Sequence, residues 1–159
     1  MKDIDVVSGG VLDVALRLHR DLGPGLLESV YEAVLAGRLV AMGYNVVRQR
    51  PIDIEFEGLR FEAAFRIDLL VDDRLVVEIK SVECLLPVHA KQLLTYLRLT
   101  KQPVGLLINF GGATLKEGVR RLVNNYRPSA SSAPLREPTF SRRFHARHPQ
   151  GVFARARSR

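Results

Sequence analysis

The run Val104-Gly105-Leu106-Leu107-Ile108-Asn109-Phe110 constrains the fold most. It is apolar without alternation, so a strand made from it has to be buried on both faces. Helices packed on a sheet supply that cover. The preceding segment is suited to the task. Pro87 opens a helix in the first-turn position that proline tolerates, and Leu93, Leu94 and Leu97 give it a core face to about Thr100. A strand that follows a helix can return parallel to an earlier strand, so a mixed sheet is expected. Gly111-Gly112 ends the run. Thr114 with Glu117 three residues on reads as a capping box for a last helix, through Leu122 and Val123 to about Tyr126.

Upstream, Val11, Leu12, Ala15, Leu16 and Leu18 recur at helical spacing from about Ser8, a candidate N-cap, to Asp21. Gly23-Pro24-Gly25 breaks the chain. A second helix is expected from about Leu27 to Met42, burying Val30, Val34, Leu35 and Leu39, with Gly43 as its stop. Ile52, Ile54 and Phe56 alternate with Asp53, Glu55 and Glu57, the pattern of a half-buried strand. After the Glu57-Gly58 turn, residues 60–71 and 74–81 read as two more strands of an antiparallel meander. The expected order is α-α-β-β-β-α-β-α.

The 159 residues suffice for one domain with a real core, and 47% hydrophobic with 26% charged residues is ordinary for a globular chain. The single cysteine, Cys84, reads as a small core residue and excludes an intramolecular disulfide or a multi-cysteine metal centre. No run approaches the roughly 20 apolar residues that cross a bilayer. The first residues lack a signal-peptide layout, so a cytoplasmic location is expected. The net charge of +7 is unevenly placed. Residues 128–159 hold seven arginines and one glutamate, whereas residues 1–127 hold 17 basic and 16 acidic groups. Residues 1–127 therefore read as the folded domain. Residues 128–159 read as a basic Pro/Ser/Arg-rich flexible tail, whose arginines can add salt-sensitive affinity for nucleic acid.

The chemistry concentrates between Arg66 and Lys80. Asp68 lies on one apolar strand, with Glu78 and Lys80 two residues apart, on one face, of the next. A three-residue loop, Asp72-Asp73-Arg74, sets Val71 opposite Leu75 and Asp68 opposite Glu78. A two-residue loop would turn Asp68 away. The expectation is the three-residue loop. Two facing carboxylates repel unless a cation lies between them. Mg²⁺ suits such a pair, with Mn²⁺ as a substitute, and the backbone carbonyl of Ile79 can add an oxygen. Lys80 could position the attacking water or stabilise developing negative charge. An ordinary cross-strand carboxylate–lysine pair remains the alternative from these three residues alone. Glu28 and Tyr31 lie i, i+3 on one helix, and Gln92 and Tyr96 lie i, i+4 on another. His89, in the first turn of the latter helix, is a further candidate for phosphate contact, and Tyr31 for substrate contact. His19 reads as structural.

The run Gly25-Leu26-Leu27-Glu28-Ser29-Val30-Tyr31 resembles the GxxExxY signature of a family of small bacterial proteins assigned to the PD-(D/E)XK nuclease superfamily. The resemblance spans roughly residues 5–125. It includes Arg66-Ile67-Asp68-Leu69-Leu70-Val71, Val77-Glu78-Ile79-Lys80-Ser81, Gln92-Leu93-Leu94-Thr95-Tyr96 and Gly105 to Gly111. The pattern is similar to RecB-type nucleases. The resemblance implies a restriction-endonuclease-like α/β domain, with Asp68 and Glu78 as metal ligands and Lys80 as the catalytic lysine. It implies Glu28 as a third acidic group at the metal, and Gln92 and Tyr96 lining the site against the phosphate backbone. Ile67 stands where the superfamily name has proline, and the cysteines of the iron–sulfur RecB-like proteins are missing. The function expected is Mg²⁺-dependent hydrolysis of nucleic acid, DNA foremost. No membrane partner is expected, and a homodimer is compatible with the pattern. The alternative is a catalytically silent nucleic-acid-binding or regulatory module on the same fold.

Overall fold

The computed structural model describes residues 2–126. The tail expected from residue 128 onward lies outside the described residues. The order is α1 (Ile4–Leu22), α2 (Glu28–Ala41), β1 (Val46–Phe56), β2 (Leu59–Val71), β3 (Leu75–Lys80), α3 (Pro87–Leu99), β4 (Val104–Asn109), a short 3₁₀ turn (Lys116–Gly118) and β5 (Val119–Val123).

One five-stranded sheet runs β1-β2-β3-β4-β5. The meander β1-β2-β3 is antiparallel, β3 and β4 are parallel across the α3 crossover, and β5 returns antiparallel to β4. All six residues of β4 are buried, as the uninterrupted apolar run demands. Leu106 and Ile108 face α1 and α2 with Val77, Leu35 and Val11. Leu107 faces α3 with Val76, Leu93 and Leu97. The fold is therefore an α/β mixed sheet covered on both faces, consistent with the restriction-endonuclease-like architecture. Gly105 lets α3 lie close, because a Cβ there would press on the Leu93 side chain.

Four local expectations are corrected. The last helix is absent: the segment after Thr114 forms the 3₁₀ turn and the edge strand β5, so the final element is β and not α. Pairing with β4 outweighs the local helix signal, since without β5 the buried β4 would present an open ladder edge. The first helix starts at Ile4 with Asp3 as N-cap, whose Oδ1 accepts from the Asp5 N–H at 2.8 Å. Ser8 is instead buried mid-helix and donates its hydroxyl to the Asp5 carbonyl. In α2 the buried residues are Tyr31, Glu32, Leu35, Ala36 and Leu39, while Val30 is exposed and Val34 is half-buried. Cys84 is exposed, on the loop after β3.

Candidate active site

The loop between β2 and β3 holds three residues. Val71 pairs with Leu75, Leu70 with Val76 and Leu69 with Val77. Asp72 and Asp73 both adopt left-handed φ, 49° and 55°, and the Asp72 carboxylate accepts from the Asn45 N–H at 2.9 Å. Acidic and amide side chains tolerate that conformation, so the loop residues themselves set the register.

Beyond Leu69 and Val77 the two strands no longer pair. Asp68 takes over where the ladder stops: its Oδ2 accepts from the Ile79 N–H at 2.8 Å. On β3 the next residue, Lys80, gives its carbonyl to the Phe110 N–H of β4. Backbone groups alternate sides along a strand, so the Ile79 carbonyl points with its N–H towards Asp68. Val76 belongs to the α3 layer, and the strand period of two puts Glu78 and Lys80 on that same face, while Asp68 reaches β3 through its bond to the Ile79 N–H.

Glu78 is 4% exposed. Its Oε1 accepts from the Lys80 ammonium at 2.7 Å, and its Oε2 is buried with no hydrogen-bond partner. Burial, then the Asp68 charge, pushes the Glu78 carboxyl up to about 7, although Lys80 pulls the other way. Burial also raises the Asp68 carboxyl, against the Ile79 N–H and Lys80. Burial disfavours the Lys80 ammonium. The hydrogen bond and charge of Glu78, with Glu28 and Asp68 adding to them, nevertheless hold it above the ordinary lysine value.

Glu28 arrives from the other helical layer. As the first residue of α2 it accepts from the Ser81 N–H at 3.1 Å, just past the end of β3. Ser81 donates its hydroxyl to the Leu26 carbonyl at 2.6 Å. Leu26, Leu27, Glu28, Ser29 and Ser81 line an open cleft of about 460 Å³. Tyr31 is fully buried, stacked on Phe110 at 4.5 Å between ring centroids, so the substrate contact expected of it is corrected. Its hydroxyl donates to the Gly23 carbonyl at 2.6 Å and accepts from the Leu26 N–H at 3.2 Å. It pins the loop that delivers Glu28.

On α3, the Gln92 amide donates to the Tyr96 hydroxyl at 2.5 Å, and the Tyr96 ring stacks on Phe65 at 4.1 Å. Both stand on α3, the helix that covers the Val76 face of the sheet. His89 Nδ1 accepts from the Leu86 N–H at 3.1 Å and so works as a helix-start cap. His19 is structural as expected, its Nε2 lying 2.9 Å from the Gly112 carbonyl.

Three residues that support the site escaped sequence reasoning. Glu32, one turn after Glu28, is buried and receives the Arg48 Nε at 2.9 Å and the Gln49 amide at 2.5 Å. Gln49, left-handed at φ 50°, also lies 3.4 Å from the Asp68 Oδ1, so it bridges the two acids. The buried Asn109 exchanges side-chain bonds with the Val82 N–H and carbonyl and accepts from the Gly111 N–H, bracing the turn after Lys80. The available signals were an acid on the Tyr31–Leu35 face of a helix and the one amide in the β4 run.

The donor set fits a hard cation that keeps several waters, on the evidence of the orphaned buried Oε2 of Glu78 between like-charged neighbours. It is not a closed protein cage: among the described residues no group of three or more His, Cys, Asp or Glu is placed to hold a metal by itself. Nor is any described helix long and apolar enough to cross a membrane.

No curated protein and no solved structure matches the chain. A family model described as the PD-(D/E)XK nuclease superfamily does match, over residues 5–122, which takes in every site residue above. Members generally use divalent metal ions and act on nucleic acid. With most of its length covered by that match, the chain belongs to the PD-(D/E)XK nuclease superfamily.

Proposed function

We propose that the chain is a metal-dependent nuclease of the GxxExxY, RecB-like kind that hydrolyses phosphodiester bonds of DNA in the cytoplasm. The observation that carries the reading is the meeting of Asp68, Glu78 and Lys80 where the β2–β3 ladder opens, with Glu28 delivered to the same end of β3.

Asp68, Glu78, the Ile79 carbonyl and, directly or through water, Glu28 would hold Mg²⁺ or Mn²⁺. When bound, the ion supplies Lewis acidity at the phosphoryl oxygen and lowers the pKa of bound water. Lys80, kept protonated by Glu78, is a fixed cation for the negative charge that develops on phosphorus oxygens. Gln92 and Tyr96, ordered by their mutual hydrogen bond, would line the phosphate path from α3. His89 stands at the start of the same helix.

The test is purified protein with Mg²⁺ or Mn²⁺ against single- and double-stranded DNA and RNA, beside Lys80→Ala and Asp68→Ala. Activity should fall by about 10²-fold or more in each variant, the cost of losing a preorganised charge at a reacting phosphate. Equal traces in all three proteins would mark contamination and sink the enzymatic reading. One observation favours a second reading, a catalytically silent nucleic-acid-binding module: the described carboxylates form no ready three-ligand set. Calorimetry separates the two, since the module binds DNA without taking up metal at Asp68 and Glu78.

A further inference from the structure

β3 pairs only with Leu69, Leu70 and Val71 of β2, so the earlier part of β2 continues with β1 alone as a two-stranded ribbon. Asp68 stands at the root of that ribbon, where the β2–β3 ladder has just ended. Its carboxylate therefore depends on what its own two oxygens meet. One partner comes from each neighbouring strand. Oδ2 accepts from the Ile79 N–H of β3 at 2.8 Å, and Oδ1 accepts from the Gln49 amide nitrogen of β1 at 3.4 Å.

Gln49 is set opposite Asp68, because Arg48 pairs with Leu69 and Arg50 with Ile67. Its backbone is left-handed, at φ 50°. A glutamine holds that conformation at a cost in free energy, so it persists only where the surroundings fix it. The side chain is fixed from α2. Glu32 is 5% exposed, and its Oε2 accepts from the Gln49 amide at 2.5 Å, while its Oε1 accepts from the Arg48 Nε at 2.9 Å.

An amide has a donor end and an acceptor end. Here the donor end serves two carboxylates at once, which decides its orientation. Turned over, its oxygen would face the Glu32 carboxylate, and a buried acid would lose a donor. Glu32 thus dictates that Gln49 presents N–H groups to Asp68. The amide also separates two acids that would otherwise repel each other. A continuous line of contacts runs from α2 through β1 and β2 to the Ile79 N–H of β3.

We infer that Gln49 is a positioning residue for Asp68, with Glu32 as the anchor that orients its amide. The consequence for metal uptake rests on Asp68 being a ligand, as proposed above. The positioning itself is readable without metal, at the Ile79 N–H that Asp68 holds.

Two measurements on the full chain test it: amide hydrogen exchange at Ile79 by NMR in metal-free protein, and calorimetric titration with Mn²⁺. Gln49→Met keeps the side-chain length and removes the amide. Exchange at Ile79 should quicken about tenfold, the scale of one lost hydrogen bond. Mn²⁺ uptake should weaken about tenfold or more, as it does when a group that orients a metal ligand is removed. Arg48→Ala takes a donor from Glu32 but none from Asp68. The Arg48 side chain is 47% exposed, so water can replace it, and both readings should keep their native values. Glu32→Met combined with Gln49→Met removes the buried acid that Gln49→Met orphans. The pair should recover thermal stability while keeping both defects, which preserves the test if Gln49→Met alone fails to fold. Native exchange at Ile79 in the pair overturns the inference, and so does equal quickening in Arg48→Ala. A native chain that takes up no Mn²⁺, while Ile79 still responds to Gln49, sustains the positioning and sinks the metal-dependent nuclease reading instead.

Discussion

Glu78 is where burial and charge meet most sharply. A carboxylate so enclosed, with one oxygen on Lys80 and the other without a hydrogen-bond partner, resists ionisation even beside the Lys80 ammonium. Its folded-state pKa of about 7 lies above the ordinary 4.5, so the native state holds a proton that the unfolded chain has lost. The stability from this group is therefore complete below pH 4.5 and drains away as pH rises through 7. Metal-free protein should lose roughly 3 kcal/mol between pH 5 and 8, read by urea unfolding. Glu78→Gln should flatten that slope, and saturating Mg²⁺ should reverse the loss at high pH. A flat profile in the native protein would show that Lys80 already neutralises Glu78. Asp68, Glu78 and Lys80 were legible in the sequence because charged groups stand out in apolar strands. Tyr31 and Glu32 were not. Helical spacing gives a residue's face, but whether that face meets solvent depends on Phe110 and Arg48, far away in sequence.

At the scale of elements, the legible parts were those with strong local grammar. The three-residue loop was written in Asp72 and Asp73, the α3 start in Pro87, and the doubly buried β4 in its unbroken apolar run. The failure at β5 has the opposite cause: Thr114 and Glu117 offered a local helix start, while the partner that decides the matter, β4, lies upstream. Both helices that flank the site share one irregularity. Their N-cap residues are Leu27 and Leu86, 75% and 56% exposed, in extended backbone and with no side-chain oxygen to offer. Serine would fit the same backbone and satisfy an orphan N–H, so Leu27→Ser and Leu86→Ser should each stabilise the fold by about 1 kcal/mol. Thermal unfolding would register a rise of a few degrees. If nuclease activity falls in the same variants while stability rises, the leucines serve the cleft that Leu27 lines, at the expense of the helices.

Charge is unevenly placed along the whole molecule. Residues 2–126 contain 16 basic and 16 acidic residues, so the part that carries the carboxylates has no net attraction for a polyanion. The seven arginines after residue 127 account for nearly all of the chain's excess. Affinity for nucleic acid through counterion release scales with the number of phosphates neutralised. In the absence of divalent metal, the full chain should therefore bind DNA with a steep salt dependence that a chain ending at residue 127 lacks. Fluorescence anisotropy of a labelled oligonucleotide between 50 and 300 mM salt would measure it, the logarithmic slope flattening by about 0.9 for each phosphate that truncation leaves without its arginine. Adding Mg²⁺ should recover part of the shortened chain's binding, because a cation held, as proposed, by Asp68 and Glu78 would offset the local negative charge. An unchanged slope after truncation would instead assign DNA binding to arginines of the domain, with Arg66, at the root of the β1–β2 ribbon, as the first to replace.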